Sequence, residues 1–210
     1  MRYFIIAVVA SILTVIPNAS ATILTLGMEV AFSGPTPPGA APWVTATFND
    51  EGTTGRVVLT ITATNLSSTE KLTDLVFNLN PALNPKKLVF SHATEMRGDF
   101  TKPTISKGTN AFDVDSGYYD IRFAFTTSKG GFTSGDAVQY TITGIKSLTA
   151  NSFDFKSSSR KTQDMYLTAA EIQNHAFALT NTWTTTPEPS TVVMFGIGSL
   201  FLCRKRKNGY

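Results

Sequence analysis

The sequence predicts an all-β domain of the antiparallel β-sandwich class. Apolar and polar residues alternate with a period of two in residues 57–63, 119–126 and 138–143. Such alternation is typical of strands with one buried and one solvated face. Turn-forming pairs, among them Asn80-Pro81 and Asn84-Pro85, separate the apolar segments. Seven or eight short strands at this spacing indicate a sandwich, with a jelly roll as the alternative topology.

Other segments complete the predicted domain. Five more strands are predicted: Ile23–Met28, Trp43–Phe48, Asp74–Leu79, Lys87–Phe90 and Asn151–Phe155. One short helix is predicted over Ala169–Ala178, near the C-terminal end of the domain. Thr168 and Glu171, three residues apart at the start of this segment, have the pattern of a capping box. The domain is predicted to cover residues 22–180.

The N-terminal end has the features of a signal peptide over residues 1–21. Arg2 supplies a positive charge, an apolar run follows from Phe4 to Ile16, and Pro17 ends it. Ala19 and Ala21 form a small-x-small cleavage site, so we expect a signal peptidase to cut after Ala21. The chain is therefore expected to be exported.

The C-terminal end reads as a second sorting signal, over residues 187–207, after a Thr-rich tether at residues 181–186. An apolar run from Val192 to Cys203 lies between a proline-rich entry and a basic stop. The entry and the stop comprise Pro187, Glu188, Pro189, Arg204, Lys205, Arg206 and Lys207. The apolar run is shorter than the roughly 20 residues that a membrane-spanning helix needs, so it predicts a marginal transmembrane segment that holds the chain at the membrane before processing.

This tail resembles the PEP-CTERM signal that bacterial exosortases recognise. The resemblance implies an exosortase-type membrane peptidase as a processing partner. It also implies a location in the cell envelope, at the surface or in the extracellular matrix of a Gram-negative bacterium, with a link to exopolysaccharide and biofilm. The same tail is sometimes labelled the C-terminal segment of ice-binding proteins, a label that implies no ice-binding activity.

Charge and cysteine content limit what the body of the chain, the part between the two targeting ends, is expected to do. The chain has 18 basic and 15 acidic side chains. Five of the basic residues and one acidic residue lie in the two targeting ends, which leaves 13 and 14 in the body, so no nucleic-acid-binding surface is predicted. Cys203, the single cysteine, lies in the tail, so the exported body must be stable without disulfides.

One acidic segment is a candidate calcium site. Asp113, Asp115 and Asp120 lie close together in the sequence, beside Asn110, and Ca²⁺ takes six to eight oxygen ligands. The spacing does not match an EF-hand. A solvated turn with Asx hydrogen bonds is the alternative interpretation, so no metal ion and no cofactor are predicted.

The motifs do not indicate an enzyme. The sequence lacks the Gly-x-Ser-x-Gly, His-Glu-x-x-His and phosphate-binding loop patterns. We therefore expect a non-enzymatic surface or matrix protein associated with exopolysaccharide. A lectin-like or Ca²⁺-dependent adhesive module is the first alternative, for which Trp43, Tyr118, Tyr119 and Trp183 are candidate sugar-stacking residues. A secreted hydrolase is the second, and a pocket with clustered carboxylates would favour it.

Overall fold

The computed structural model describes residues 20–158 (92–96 by backbone alone), 165–174 and 180–187. Within these ranges the chain forms eleven strands in two antiparallel sheets, which confirms the predicted β-sandwich. In chain order the strands are β1 (Ile23–Met28), β2 (Val30–Ser33), β3 (Val44–Asn49), β4 (Val57–Ala63), β5 (Glu70–Phe77), β6 (Val89–Arg97), β7 (Thr104–Val114), β8 (Gly117–Ala124), β9 (Ala137–Thr143), β10 (Thr168–Asn174) and β11 (Thr180–Thr185).

The two sheets differ in size and in strand order. The five-stranded sheet has the order β1-β3-β4-β9-β6, and the six-stranded sheet has the order β2-β11-β10-β5-β8-β7. The chain passes from the first sheet to the second at Glu29, between β1 and β2. The N–H of Glu29 donates to the carbonyl of Thr185 at 2.9 Å, so the start of β2 is fixed beside the end of β11.

The core lies between the sheets and is rich in phenylalanine. Phe48 of β3 stacks on Phe153, with ring centroids 4.2 Å apart. Its other neighbour is Phe77 of β5, edge-on at 5.2 Å, so Phe48 joins the two sheets. Phe90 and Phe123 make a second edge-on contact across the layers at 5.6 Å. The period-two pattern therefore places apolar side chains on the facing sides of the two sheets.

The predicted helix over Ala169–Ala178 is wrong for residues 169–174, because residues 168–174 form β10, and residues 175–178 lie outside the described ranges. This strand pairs with β5 on one side and β11 on the other. Ala170 and Ile172 face the main core, whereas Ala169 belongs to a smaller cluster on the other side of the sheet. A helix here would leave β5 and β11 each without a ladder partner on one side. That cost outweighs the helix propensity of two alanines, which is favourable but small.

Two further predictions are corrected. The predicted tether at residues 181–186 falls mainly in β11, which pairs with both β10 and β2, so the sandwich extends to Thr185. The predicted strand Asn151–Phe155 is wrong, because Ala150–Phe153 is a 3₁₀ turn. The side-chain hydroxyl of Ser152 accepts from the N–H of Thr149 at 3.1 Å, which favours a turn at this point.

Strand β7 contains a wide irregularity that shapes the six-stranded sheet. Lys107 lies opposite Ile121, but Phe112 lies opposite Tyr119, so β7 advances five residues while β8 advances two. Asn110 lies inside this bulge with φ +49, a left-handed conformation that asparagine tolerates. Extra residues in one strand of a pair bend that strand, so the bulge changes the direction of residues 111–114.

Candidate functional site

A groove of about 340 Å³ lies on the outer face of the six-stranded sheet. Residues 111–114 of β7 form one wall. The remaining lining is contributed by Asp74, Arg122, Glu171 and Trp183, one from each of β5, β8, β10 and β11. The groove therefore crosses strands that are far apart in the sequence, and it combines aromatic, acidic and basic side chains.

Strand register brings three of these side chains into one row. Trp183 lies directly opposite Glu171, and Glu171 lies directly opposite Asp74. Residues that oppose each other in a ladder point to the same face, and neighbouring strands are about 4.8 Å apart. The row therefore runs across the strands for roughly 10 Å, from an indole ring to a carboxylate.

Asp74 is held by Arg122. The Nε of Arg122 donates to Oδ1 of Asp74 at 2.5 Å, and Nη2 donates to Oδ2 at 2.8 Å. The hydrogen bond from this side chain to Asp74 raises the pKa of the Arg122 guanidinium, and the negative charge of Glu171 nearby acts in the same direction. A two-bond pair of this kind fixes the plane of the guanidinium.

Glu171 is also fixed on both oxygens. The hydroxyl of Thr73 donates to Oε2 at 2.8 Å, and the Nδ2 of Asn181 donates to Oε1 at 2.8 Å. Asn181 in turn accepts from the Nε2 of Gln173 at 3.3 Å. These two neutral donors hold the carboxylate of Glu171 in a fixed orientation at the centre of the row.

An apolar cluster lies on the same face. Val76, Tyr119 and Ala169 are buried together on the outer side of the sheet. Four partly buried side chains pack against them: Phe32, Phe112, Val114 and Trp183. The Tyr119 hydroxyl is within 2.9 Å of the Ser116 hydroxyl, and burial raises the pKa of Tyr119 to about 12. Trp183 is therefore supported from below while part of its side chain remains accessible.

The candidate calcium residues have separate environments. Both oxygens of Asp120, which is 7% exposed, accept from backbone N–H groups, Oδ1 from Asn110 at 2.8 Å and Oδ2 from Leu79 at 3.1 Å. Asp115 accepts from the Ser33 hydroxyl at 3.3 Å, and Asp113 lines the groove. No group of three or more His, Cys, Asp or Glu side chains that could hold a metal ion occurs among the described residues.

The four candidate sugar-stacking residues also lie in different environments. Trp43 is buried in the core at 3% exposure, and its indole N–H donates to the carbonyl of Gly39 at 2.6 Å. Tyr119 is buried in the cluster beneath the groove, whereas Tyr118 is half-buried on β8. Trp183, which the sequence placed in a tether, is the one of the four that lines the groove.

Several predicted signal residues lie outside the described ranges. Ala19, Glu188, Pro189 and residues 204–207 belong to this group. Ala21 is described and exposed, and Pro187 is described two residues beyond the end of β11. In the part of the chain that the structure covers, no helix has the length and apolarity required to cross a membrane.

Comparison with known proteins identifies the tail. Residues 185–207 match the model of the PEP-CTERM protein-sorting motif, which confirms the resemblance noted in the sequence. The motif indicates an exported protein that is sorted at the cell envelope, and it implies processing by an exosortase. The matched segment starts at Thr185, the last residue of β11, so the motif follows the sandwich directly.

The comparisons with known proteins give a distant structural match for the body. Among the curated proteins, none matches this chain. One solved structure is similar, a biomass-sensing module from an Rsgi-like protein of Clostridium thermocellum, described as resembling the family 3 carbohydrate-binding module of the cellulosome. It has 12% sequence identity and a TM-score of 0.31, and the match covers 81% of this chain and 99% of the other. A TM-score of this size carries no argument about function.

Proposed function

We propose that this exported chain is a non-catalytic, polysaccharide-binding protein of the bacterial cell surface or extracellular matrix. Its sandwich would bind a glycan chain in the groove of the six-stranded sheet. The observation that carries the proposal is the row formed by Trp183, Glu171 and Asp74 above an apolar cluster. An aromatic face packs on the C–H side of a sugar ring, while fixed carboxylates and a guanidinium bind its hydroxyls.

The polar groups are arranged for binding more than for hydrolysis. Glycoside hydrolysis needs a carboxylic acid that can pass a proton to the leaving oxygen, together with a second carboxylate. Asp74 has both oxygens bound to Arg122, and Glu171 has both bound to Thr73 and Asn181. A carboxylate with a hydrogen bond on each oxygen is fixed in orientation, and its remaining lone pairs point in fixed directions for hydroxyl donors.

The sorting route supports the same proposal. The signal peptide predicted over residues 1–21 and the motif at residues 185–207 would deliver the sandwich across the inner membrane of a Gram-negative bacterium. Cleavage at the motif by an exosortase would then leave the sandwich with all its strands, because β11 ends at Thr185. Binding to exopolysaccharide would retain the released domain in the matrix and give it a role in biofilm.

The two tryptophans provide a direct test. Trp43 lies in the core and Trp183 lies in the groove, so a bound sugar would change the fluorescence of Trp183 alone. We would titrate residues 22–187 with soluble β-linked hexasaccharides, using wild type, Trp43→Phe and Trp183→Phe. The expected result is a saturable change in wild type and Trp43→Phe that is lost in Trp183→Phe.

Two further measurements separate the alternatives. Trp183→Ala is expected to weaken binding at least about tenfold, because aromatic anchors in a pocket supply a large share of binding energy. New reducing ends after prolonged incubation with wild type, absent with Glu171→Gln, would favour the hydrolase instead. A wild-type protein that binds none of a panel of neutral, acidic and amine-bearing glycans would contradict the proposal.

A further inference from the structure

A buried carboxylate holds the residue that follows the predicted signal cleavage site. The N–H of Thr22 donates to Oδ1 of Asp50 at 2.7 Å, and the carbonyl of Thr22 accepts from the N–H of Asp50 at 3.2 Å. Asp50 is 5% exposed, whereas Ser20 and Ala21 are exposed. The chain is therefore anchored at Thr22 and leaves the sandwich immediately before it.

The partners of Asp50 are all neutral, namely backbone N–H groups and the side chain of Thr22. Besides Thr22, the N–H of Gly52 donates to Oδ1 at 3.1 Å and the N–H of Ala150 donates to Oδ2 at 3.3 Å. Burial opposes ionisation, but these hydrogen bonds together outweigh it and hold the pKa of Asp50 below its ordinary value. Two ion pairs are present among the described residues, Glu51 with Arg56 and Asp74 with Arg122. Neither of them includes Asp50.

A buried charge is normally paired with an opposite charge, so the Asp50 pocket suits a cation. We propose that cleavage of the Ala21–Thr22 peptide bond supplies this cation, as the α-ammonium group of Thr22 bound to Asp50. A signal peptidase would add water across the bond. The Ala21 carbonyl would become a carboxylate, and the Thr22 nitrogen would leave as an amine that takes up a proton at neutral pH.

The geometry requires no rearrangement for this contact. Ile23 is the first residue of β1 and lies opposite Asn49, so the ladder fixes Thr22 on one side and Asp50 on the other. Processing would turn a neutral N–H···O bond into a charge-assisted one of the same length. The processed sandwich would therefore be more stable than a sandwich with residues still attached in front of Thr22.

Mass spectrometry of the exported protein tests the site of cleavage. The expected N-terminal residue is Thr22. An N-terminus at any other residue, or an uncleaved chain, would overturn the proposal. This outcome is independent of glycan binding, since the groove lies on the other sheet.

Thermal melting tests the contact. We would compare two forms of the sandwich, both ending at Pro187, one beginning at Thr22 and the other at Ser20. The second places its ammonium roughly 7 Å of chain away from Asp50. At pH 7 the Thr22 form is expected to melt about 3 °C higher, a shift typical of one charge-assisted hydrogen bond in a domain of this size. The difference should vanish in Asp50→Asn and persist in Glu51→Gln, a matched change in the next residue.

The pH dependence gives a second readout. An α-amino group has an ordinary pKa of about 8, and a carboxylate partner raises it in the folded state. The extra stability is therefore complete below pH 8 and is lost as pH rises through the higher folded pKa. Equal melting of the two forms at pH 7, or a difference that survives in Asp50→Asn, would overturn the proposed contact.

Discussion

Arg122 and Asp74 form a two-bond ion pair between neighbouring strands on the face that carries the groove. Asp74 lies opposite Ala124, and Arg122 lies opposite Val76, so the two side chains meet diagonally. The Arg122 side chain is 45% exposed and that of Asp74 is 11% exposed. The pair uses two of the five N–H donors of the guanidinium and leaves the others for a ligand, in a plane that Asp74 fixes.

This pair predicts that Arg122→Lys will reduce glycan binding more than stability. Lysine keeps the charge but lacks the planar fork, so ligand hydroxyls lose donors in fixed directions. We expect affinity to fall about tenfold, and stability to change by no more than about 1 kcal/mol because the pair is partly exposed. Titration and urea unfolding would measure the two quantities. Arg56→Lys, in the exposed pair with Glu51, is the matched control, and equal affinities for both variants would contradict the prediction.

The charge of the groove predicts its preference among glycans. The lining carries three carboxylates, Asp74, Asp113 and Glu171, and one guanidinium. An oligosaccharide with free amino groups should therefore bind more tightly than its N-acetylated counterpart, and a uronic acid oligomer should bind more weakly than either. Isothermal titration with a matched pair of glucosamine and N-acetylglucosamine hexamers would measure the preference.

Glu171→Gln should remove most of this preference. The amide keeps the shape of the side chain but carries no charge, so the affinity for the amine-bearing hexamer should fall about tenfold while that for the N-acetylated hexamer stays within about twofold. Glu29→Gln, a change in an exposed carboxylate outside the groove, is the control. A preference that Glu171→Gln leaves intact would assign selection to another residue, and tighter binding of the uronic acid oligomer would refute the charge argument.

Alternation in the sequence was sufficient to predict the sandwich and most of its strands. Residues 57–63 alternate because one face of β4 packs in the core, and the structure gives this strand the same bounds. β10 was missed because its capping-box residues and alanines also suit a helix, and only pairing with β5 and β11 decides between the two. Local propensity is overridden wherever a segment becomes the interior strand of a sheet.

The groove could not be predicted for a different reason. Asp74 and Trp183 are more than a hundred residues apart, and they share a row only through the register of β5, β10 and β11. The bulge in β7 that supplies one wall has no distinct sequence signal beyond Gly108 and Asn110. The aromatic residues were recognised as candidates, but the sequence alone did not indicate which of them would be accessible.

The stacked rings at the centre of the core predict a large effect of Phe48→Ala. Phe48 is fully buried between Phe153 and Phe77, so the truncation leaves a cavity between the two sheets. The expected loss is about 3 to 5 kcal/mol in the free energy of unfolding, measured in urea. Phe48→Leu should cost less, and Ile23→Ala, at a residue 61% exposed, should change little. A loss below about 1 kcal/mol for Phe48→Ala would place the core elsewhere.

Alkaline pH should destabilise the sandwich through its buried tyrosines. Burial raises the pKa of Tyr119 and of Tyr140 to about 12, whereas an unfolded tyrosine has a pKa of about 10. The folded state therefore holds these protons more firmly, and stability falls as pH rises from about 10 towards 12. Circular dichroism melting over this range would measure the fall, which should be smaller in Tyr119→Phe. The same slope in both proteins would exclude Tyr119 as a contributor.

A single residue, Thr186, separates the end of β11 from the Pro-Glu-Pro entry of the sorting motif. Pro187 lies two residues beyond β11, so replacing Pro187, Glu188 and Pro189 with alanine alters the motif without touching a strand. This variant should remain unprocessed and membrane-associated. Deleting residues 204–207 removes the basic stop that should stay on the cytoplasmic side, so full-length protein should appear in the medium. Immunoblots of membrane, surface and medium fractions would separate these outcomes. Lys86→Ala with Lys87→Ala, in an exposed basic pair of the body, is the control for lost charge. If both tail variants match the wild type in size and distribution, the tail does not direct sorting.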